Sequence, residues 1–391
     1  MERVDVAVVG AGPFGLSVAA HLAPRRQVRT FGEPMHTWRA LMPQDMLMRS
    51  HWDETKLSCP GDVGTLHHWG AEVGIERQEP LPLQLFLRYS EWFRERFVPE
   101  ADPANVSRIE RTNGSFAVTT SAGDSVEAKR LVLAVGVMPF PRVPAPLAGI
   151  EDDRIAFGVE PSVFDGLSGK RVVVLGGGQN GLESAALALR AGASSVEIIV
   201  RSDVRWFTPR EHWEPRPRLR RRLYRLAYPV IGFGPPPINR FVLRPDLFAK
   251  LPLTAREYLN RRLLRPGGSP WIRGEIEGRV AITPGRIVVD ATAAPAGVHL
   301  TLDDGTTREA DQLIVCVGYR FDLARLTWLA PSIRERIRCD DGWPVLDRAF
   351  RTTDPAIQLV GYAAERRFGP LSRFVAGTTF AAIRAASVHA G

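Results

Sequence analysis

The sequence predicts an α/β protein in which one doubly wound, Rossmann-like domain is interrupted by a second domain of the same kind. Two glycine-rich turns, each between an apolar strand and a helix, predict these domains. About 75 residues without strand character then interrupt the second domain, which predicts a helical insert. The 391 residues, of which 45% are hydrophobic, are enough for two or three packed domains.

Composition excludes several classes of protein. No apolar run reaches the roughly 18 residues that span a bilayer, and Met1 leads into a strand-like stretch rather than a signal peptide. We therefore expect a cytoplasmic protein without a membrane span. The three cysteines Cys59, Cys316 and Cys339 form no CxxC pair, so redox chemistry needs a bound cofactor. No HExxH or thiolate pattern occurs, and we predict no metal site.

The first glycine-rich turn, GAGPFG at residues 10–15, follows an apolar strand and precedes a helical run. In this GxGxxG pattern Gly10 permits the tight turn, Gly12 lets the backbone approach a pyrophosphate, and Gly15 lets helix and strand pack closely. Proline in the first helical turn costs no hydrogen bond, because its amide would be unpaired anyway. The predicted nucleotide contacts are Gly10, Gly12, Pro13, Phe14 and Gly15.

A carboxylate is expected at the end of the next strand, where it would bind an adenosine ribose. Residues 28–33 occupy this place, and alternation puts Gly32 in the position of the acid with Glu33 one residue later. Glu33 is the predicted ribose ligand, and an ordinary surface glutamate is the alternative.

The second glycine-rich turn, GGGQNG at residues 176–181, follows the apolar strand of residues 169–175. Its predicted nucleotide contacts are Gly176, Gly178, Gln179, Asn180 and Gly181. Two such units in one chain imply two dinucleotides, or one dinucleotide used in two halves.

The partner strand of the second turn ends in Arg201, where a domain that binds NADH usually carries Asp or Glu. An arginine can bind a 2′-phosphate through charge-assisted hydrogen bonds worth about 1.5 to 3 kcal/mol. This unit is therefore predicted to bind NADPH. Arg205 is a second candidate contact, and a solvated loop arginine is the alternative.

Two further apolar strands, LVLAVG at residues 131–136 and LIVCVG at residues 313–318, end in Gly136 and Gly318. Here the chain resembles flavoproteins with two dinucleotide-binding domains, whose linking segments end in ATG-like motifs. Residues 359–362 and 368–370 resemble the return of such chains to their FAD domain. The resemblance covers nearly the whole sequence.

The resemblance implies FAD on the first turn and NADPH on the second. It implies an FAD-binding domain in two parts, residues 1–150 and 311–391, around an NADPH-binding domain at residues 151–310 that carries the insert at about 203–280. The further cofactor contacts that it implies are Trp38, Gly136, Gly318, Gly361, Phe368 and Gly369.

The missing CxxC pair argues against the thioredoxin-reductase type. The order of the domains and Trp38 instead resemble flavin-containing monooxygenases and the ornithine or lysine N-hydroxylases. Members of these families use a flavin C4a-hydroperoxide to pass one oxygen atom to a soft nucleophile, so the resemblance implies monooxygenation. Met35, His36 and Thr37 stand where the family has a glycine pair.

Residues 42–58 occupy the place where these families put residues over the flavin ring. His51 could bind the flavin edge or act as acid or base, because its ordinary pKa of about 6.5 suits proton transfer near neutrality. An ordinary hydrogen-bonded histidine is the alternative. The candidate catalytic residues of this segment are Arg49, Ser50, His51, Asp53, Lys56 and Ser58.

The net charge of +8 is concentrated in the insert. Residues 201–265 carry 16 Lys and Arg against 5 Asp and Glu, so the rest of the chain has a net charge of −3. The dense cluster at residues 216–225 could bind an anionic substrate or a membrane surface, or be a solvated helix face. The aromatic residues of the insert either wall off a flavin or form the core of a helical cap. They are Trp206, Phe207, Trp213, Tyr224, Tyr228, Phe233, Phe241 and Phe248.

Three functions are compatible with these observations. The first is an FAD- and NADPH-dependent monooxygenase that uses molecular oxygen on a small molecule, most simply in N-hydroxylation of an amine. The second is an NADPH-dependent flavin reductase or dehydrogenase without oxygen transfer. The third is a nucleotide- or nucleic-acid-binding protein that uses the arginine cluster. We predict the first, with a small-molecule substrate and no nucleic-acid partner.

Overall fold

The computed structural model describes residues 2–158, 160–207 and 238–389. The arginine cluster at residues 216–225 lies outside the described residues, as do Trp213, Tyr224, Tyr228 and Phe233. What the sequence suggests about them stays a prediction.

The described residues form a mixed α/β structure. Its strands are β1 Glu2–Val9, β2 Val28–Phe31, β3 Leu47–Met48, β4 Leu81–Pro82, β5 Ala101–Asp102, β6 Val106–Thr112, β7 Ser115–Thr120, β8 Ser125–Leu133, β9 Ile155–Phe157, β10 Arg171–Leu175, β11 Ser195–Ile199, β12 Ala281–Thr283, β13 Val288–Ala294, β14 Gly297–Leu302, β15 Thr307–Ala310, β16 Gln312–Val315, β17 Cys339–Asp340, β18 Trp343–Pro344 and β19 Ile357–Leu359.

Helices connect these strands. They are α1 Pro13–Leu22, α2 His36–Ala40, α3 Leu66–Val73, α4 Leu83–Phe97, α5 Gln179–Arg190, α6 Ile238–Val242, α7 Pro245–Phe248, α8 Leu253–Leu263, α9 Arg273–Ile276, α10 Pro331–Arg334, α11 Glu365–Phe368 and α12 Thr378–Ser387. Single turns of 3₁₀ helix lie at Trp52–Glu54, Pro60–Asp62, Ala145–Leu147, Pro161–Phe164, Pro270–Ile272, Leu323–Arg325, Gly361–Ala364, Pro370–Arg373 and Val375–Gly377.

The first sheet has the order β5-β2-β1-β8-β7-β6, and β19 also pairs with β8. Strands β5, β2, β1, β8 and β19 are parallel, whereas β6 and β7 form an antiparallel hairpin that joins β8. The second half of β1 is buried on both faces, as the continuous apolar run of residues 6–9 requires of a central parallel strand. Helix α1 buries most of its length and packs against α12.

The second sheet has the order β12-β11-β10-β16-β9 and is entirely parallel. Its strands fall in sequence between β8 and β19 of the first sheet, so one Rossmann-like unit is nested within the other. This confirms the predicted fold class. Two apolar clusters cover the two faces of this sheet, and a larger cluster surrounds the first sheet. An antiparallel sheet of β13, β14 and β15 adjoins the second unit.

One predicted boundary needs correction. Residues from 311 onward were assigned to the second part of the FAD domain, yet β16, Gln312–Val315, pairs with β10 and β9 in the second sheet. The chain returns to the first sheet only after β16. The apolar strand was visible in the sequence, but its partners β10 and β9 are distant in sequence and are set by the folded sheet.

The described part of the insert is helical and packs back onto the first unit. Phe248 of α7 is fully buried, and Asp246 beside it forms an ion pair with Arg384 of α12. Glu257 of α8 pairs with Arg366 of α11 at 3.0 Å. The insert therefore lies between two strands of the second unit in sequence, but it contacts the C-terminal segment of the first unit.

Within the described ranges, no helix is long and apolar enough to cross a membrane. The same ranges contain no group of three or more His, Cys, Asp or Glu side chains placed to hold a metal ion.

Candidate functional site

The first glycine-rich turn joins β1 to α1 and admits no side chain at two of its glycines. Gly10 has a φ of +104°, and a Cβ there would lie 2.4 Å from the carbonyl oxygen of Ala134. A Cβ on Gly15 would lie 1.8 Å from the carbonyl oxygen of Gly10. Gly12, by contrast, has nothing within 4 Å of its Cβ position. The turn thus leaves open space at the N-terminus of α1, where unpaired amides attract an anion.

The second glycine-rich turn repeats this geometry between β10 and α5. Gly176 has a φ of +119°, and a Cβ there would lie 2.3 Å from the carbonyl oxygen of Cys316. A Cβ on Gly181 would lie 2.0 Å from the carbonyl oxygen of Gly176. In both units the residue that follows a neighbouring parallel strand, Ala134 after β8 or Cys316 after β16, contacts the first glycine of the turn. The third glycine of the pattern lies in the first turn of the helix and contacts the first glycine. We call the turn at residues 10–15 with the start of α1 the first cradle, and the turn at residues 176–181 with the start of α5 the second cradle. The two have the same construction.

A segment of the insert lies against the second cradle. The Cβ position of Gly178 is 3.5 Å from Cβ of Pro266, an ordinary van der Waals contact. The backbone amide and the hydroxyl of Ser269 both donate to Oε1 of Gln179, at 2.7 and 2.9 Å. Gln179 is therefore held by the insert. The sequence did not single out Pro266 or Ser269, because some 85 residues separate them from the turn that they contact.

Arg201 and Arg205, the predicted 2′-phosphate ligands, are both exposed beside the second cradle. A Cβ on Gly177 would meet Val200, so the residue that precedes Arg201 touches the turn directly. The carbonyl of Arg205 accepts a hydrogen bond of 2.8 Å from the amide of Gly268. Both arginines are thus exposed on the segment that follows β11, next to the second cradle.

Tyr319 links the second cradle to the segments that connect the two units. Its hydroxyl accepts a bond of 3.4 Å from Nδ2 of Asn180 and donates to the sulfur of Met138 at 3.5 Å. Burial raises the pKa of Tyr319 to about 12, so the hydroxyl keeps its proton near neutrality. The two predicted linker glycines, Gly136 and Gly318, have φ values of +70° and +95°. Their Cβ positions have nothing within 4 Å.

The C-terminal segment closes around the first cradle. Phe14 lies 3.3 Å from the Cβ position of Gly361 and 3.4 Å from that of Gly377. A Cβ on Gly377 would also lie 2.1 Å from the carbonyl oxygen of Leu371. Gly377, which directly precedes α12, is a required glycine that sequence reasoning missed. A glycine just before a predicted helix was the available signal.

Phe368 and Gly369, two other predicted cofactor contacts, meet aromatic side chains. The Phe368 ring is buried and lies 4.5 Å from the Phe350 ring and 5.5 Å from the Phe380 ring, centroid to centroid. Gly369 has a φ of +86°, and its Cβ position is 3.0 Å from the ring of Phe248. Gly369 therefore contacts the insert, whereas Phe368 packs within the C-terminal part of the chain.

Glu33, the predicted ribose ligand, lies just beyond β2. Gly32 brings this strand end beside the first cradle, with its Cβ position 3.6 Å from the amide nitrogen of Ala11. The carboxylate of Glu33 is half-exposed and lies 2.6 Å from Nδ1 of His36. Glu33 therefore follows a residue that touches the first cradle, and its carboxylate already has a neighbouring partner.

Met35 and Trp38 follow in the same segment. Met35 has a φ of +58° and is buried, so a bulky residue adopts the left-handed conformation that favours glycine. Its amide donates to the carbonyl of Ala11 at 3.1 Å, which holds the turn against the first cradle. The ring of Trp38 packs edge-on against Phe86 of α4 at 5.3 Å.

His51 and Asp53 belong to one ion-pair network. Nδ1 of His51 is hydrogen-bonded to the carboxylate of Glu79, and this imidazole is buried. Arg77 pairs with Glu79 and also with Asp53, at 2.9 Å for the second pair. Partial burial raises the pKa of Glu79, but the bonds from His51 and Arg77 outweigh it and lower the pKa to about 2. The network therefore links residues 51 and 53 to residues 77 and 79 through their side chains.

The other catalytic candidates each have separate partners. Ser50 accepts a hydrogen bond from the hydroxyl of Thr55 at 2.7 Å, and Lys56 pairs with Asp62 at 2.7 Å. The guanidinium of Arg49 lies 4.0 Å above the ring of Phe207 in the insert. Ser58 lies 2.9 Å from Nε2 of His21. The structure thus brings His51 and Asp53 together but distributes the other candidates along the segment.

We expect replacement of Glu79 by Gln to destabilise the protein by about 2 kcal/mol at pH 7, because it removes charge-assisted bonds from two partners. A carboxyl whose folded-state pKa is lowered stabilises the fold above its ordinary pKa of 4.5 and loses this effect as the pH falls toward 2. Urea unfolding should therefore show that wild type has a higher free energy of unfolding than Glu79→Gln at pH 5. This difference in free energy should shrink between pH 5 and pH 3. Glu76→Gln, an exposed neighbour, is the control; a pH-independent difference would contradict the assignment.

Two glycine cradles, each between a parallel strand and a helix, define an α/β protein of the two-nucleotide class. The family model of the pyridine nucleotide-disulphide oxidoreductases matches residues 4–211, and the chain belongs to this family. The domain of this family binds a flavin and NAD(P), which confirms the predicted classes of cofactor. All three cysteines are free thiols in the structure.

Curated relatives match about half of the chain. A ferredoxin–NADP reductase of Granulibacter bethesdensis is 30% identical over 205 residues, which are 50% of this chain and 51% of the relative. An FAD-dependent urate hydroxylase of Xanthomonas campestris pv. campestris is 26% identical over 217 residues, 50% of this chain and 45% of the relative. The chain thus spans about half the length of these curated relatives.

Among solved structures, an ornithine N-hydroxylase of Kutzneria sp. 744, in a complex with reduced FAD, NADP⁺ and L-ornithine, matches with a TM-score of 0.73. The match covers 99% of this chain and 98% of that chain at 18% sequence identity. The likeness confirms the predicted flavoprotein fold over the whole chain.

Proposed function

We propose that the protein is an FAD- and NADPH-dependent monooxygenase that transfers one atom of molecular oxygen to a small molecule, at the nitrogen of an amine. The observation that carries this proposal is the presence of two equivalent glycine cradles, one at Gly10–Gly15 and one at Gly176–Gly181. The Cβ position of Gly12 has nothing within 4 Å, and that of Gly178 has only an ordinary contact with Pro266, so a pyrophosphate can approach both turns. Such an arrangement suits transfer of electrons between two nucleotides.

The first cradle is assigned to FAD and the second to NADPH. Bound flavin supplies the two-electron chemistry between NADPH and oxygen. Around the first cradle, the amides of α1 bind the pyrophosphate, Glu33 binds the ribose and the C-terminal segment from Gly361 to Gly377 shields the site from water. Around the second, the amides of α5 bind the pyrophosphate and Arg201 binds the 2′-phosphate. With this assignment, the NADPH-binding domain extends through β16, and the second part of the FAD-binding domain follows β16.

Two observations support oxygen transfer. The chain has the fold of an ornithine N-hydroxylase over its whole length, and one curated relative is a urate hydroxylase. Cys59, Cys316 and Cys339 also include no neighbouring pair, so a dithiol that would accept electrons from flavin is missing from the sequence.

A second candidate function is an NADPH-dependent flavin reductase that passes electrons to a carrier. The specific observation in its favour is the 30% identity to a ferredoxin–NADP reductase over 205 residues, half of the chain.

Oxygen incorporation distinguishes the two candidates. The holoenzyme is incubated with NADPH, ¹⁸O₂ and a panel of primary amines, and hydroxylamine products, peroxide and NADPH consumption are quantified. A monooxygenase gives a product that carries ¹⁸O, with NADPH consumption above the amine-free rate. NADPH consumption matched by peroxide for every amine, together with fast reduction of a protein electron carrier, would favour the reductase.

Replacement of Arg201 by Glu should reduce kcat/KM for NADPH by about 10- to 100-fold and leave that for NADH equal or higher, because a carboxylate repels the 2′-phosphate. Steady-state oxidation of both nucleotides measures the ratio. Arg262→Glu is the control, since it makes the same change of charge on the exposed face of α8. An unchanged NADPH-to-NADH ratio in Arg201→Glu refutes the assignment.

A further inference from the structure

Three arginines meet where α8 of the insert contacts α11 of the C-terminal segment: Arg256, Arg366 and Arg367. Arg366 is neutralised, because it pairs with Glu257 at 3.0 Å and with Asp340 at 3.1 Å. The other two arginines lack a comparable carboxylate. The contact between the insert and the first unit therefore holds excess positive charge.

Among the described residues, Arg367 has fewer polar partners than Arg256 or Arg366. Within the part of the chain that the structure describes, its guanidinium makes no hydrogen bond or ion pair, and its contact is with the ring of Phe368, 5.4 Å from the centroid. Its Nε is buried without a hydrogen-bond partner, and so is Nε of Arg256. Arg256 does donate one bond, from Nη1 to the carbonyl of Arg366 at 2.9 Å. Two buried N–H donors at one contact thus lack acceptors.

The electrostatic surroundings agree with this geometry. Burial lowers the pKa of Arg256, and the neighbouring charges of Arg367 and Arg366 lower it further. Burial also lowers the pKa of Arg367. Asp347, whose charge raises the pKa of Arg367, is already paired with Arg351 at 2.7 Å. An unpaired, partly buried cation is costly, and a bound anion would offset this cost.

We propose that Arg256 and Arg367 form a binding site for a small organic carboxylate at the contact between α8 and α11. A planar guanidinium binds a planar carboxylate through two parallel N–H···O bonds, and two guanidiniums can share one such group. The low local dielectric beside the buried Phe368 strengthens these charge-assisted bonds. The site lies next to Gly369, where the insert meets the C-terminal segment that closes around the first cradle.

Thermal melting of the holoenzyme tests the site without relying on catalytic turnover. Butyrate, its neutral isostere butyramide, and inorganic phosphate are compared at constant ionic strength. Butyrate should raise the Tm saturably, by about 2 °C at tenfold its Kd, and butyramide should not. Equal effects of butyrate and butyramide, no effect of butyrate, or a larger effect of phosphate than of butyrate would each overturn the carboxylate site.

Matched variants assign the effect to the arginines. Arg367→Met should weaken the butyrate response at least about tenfold and raise the Tm of the ligand-free protein, because it removes an unsatisfied buried cation while keeping the apolar stem. Arg256→Met provides a second variant with the same expectation for the butyrate response. Arg348→Met removes a nearby exposed charge and should keep the wild-type response. A wild-type butyrate response in both Arg367→Met and Arg256→Met would contradict the proposal, whatever reaction the enzyme catalyses.

Discussion

Gly12→Asp should yield a folded protein that has lost its flavin. The φ of Gly12 is −80°, which any residue adopts, and its Cβ position has open space, so the fold tolerates the side chain. The new carboxylate would occupy the anion position at the N-terminus of α1 and repel the pyrophosphate. We expect the affinity for FAD to fall by at least about 100-fold, equivalent to about 3 kcal/mol. The ratio of absorbance at the flavin band to that at 280 nm and titration with FAD measure the loss.

Gly12→Asn is the matched control, because it adds the same volume without the charge. It should bind FAD more tightly than Gly12→Asp, and both should melt near the wild-type apoprotein. An Asp variant that purifies with a full complement of flavin would show that this cradle does not hold the FAD pyrophosphate.

Gly178→Asp should separate the two nucleotides. Gly178 has a φ of −86°, and its Cβ position is in ordinary contact with Pro266, so an aspartate fits. Its carboxylate would face the anion position at the N-terminus of α5. Flavin should stay bound, while the rate of its reduction by NADPH should fall by at least about 100-fold. Anaerobic stopped-flow absorbance measures this rate, and dithionite should still reduce the flavin.

Gly178→Asn again controls for volume at this position. If Asp and Asn slow reduction equally, contact with Pro266 rather than charge is responsible. Loss of flavin from Gly178→Asp would contradict the assignment of separate nucleotides to the two cradles.

The nested fold and both cradles could be predicted because their signals are local. A strand, a glycine turn and a helix follow one another within about 20 residues, and Gly15 and Gly181 are required by the carbonyls of Gly10 and Gly176 in the same turns. The carbonyls that exclude a side chain at Gly10 and Gly176 belong to Ala134 and Cys316, which are distant in sequence. The strand ends before Gly136 and Gly318 were also recognisable, since both belong to apolar runs.

The rest depends on contacts between distant parts of the chain. Nothing near Gln179 in sequence indicates that Ser269 would bind its side chain, and nothing near Asp53 or His51 indicates that Arg77 and Glu79 would join them in one network. The backbone conformation of Met35 could not be predicted for a different reason. Its residue type disfavours the left-handed conformation that the turn imposes, so tertiary packing decides the backbone there.

Anaerobic titration of the flavin-loaded wild-type protein with NADPH tests whether the two cradles bind FAD and NADPH. We expect one FAD per chain, bleached fully by a single equivalent of NADPH and much less readily by NADH. A protein that takes up no FAD when incubated with an excess, or a bound flavin that dithionite reduces but NADPH does not, would contradict it.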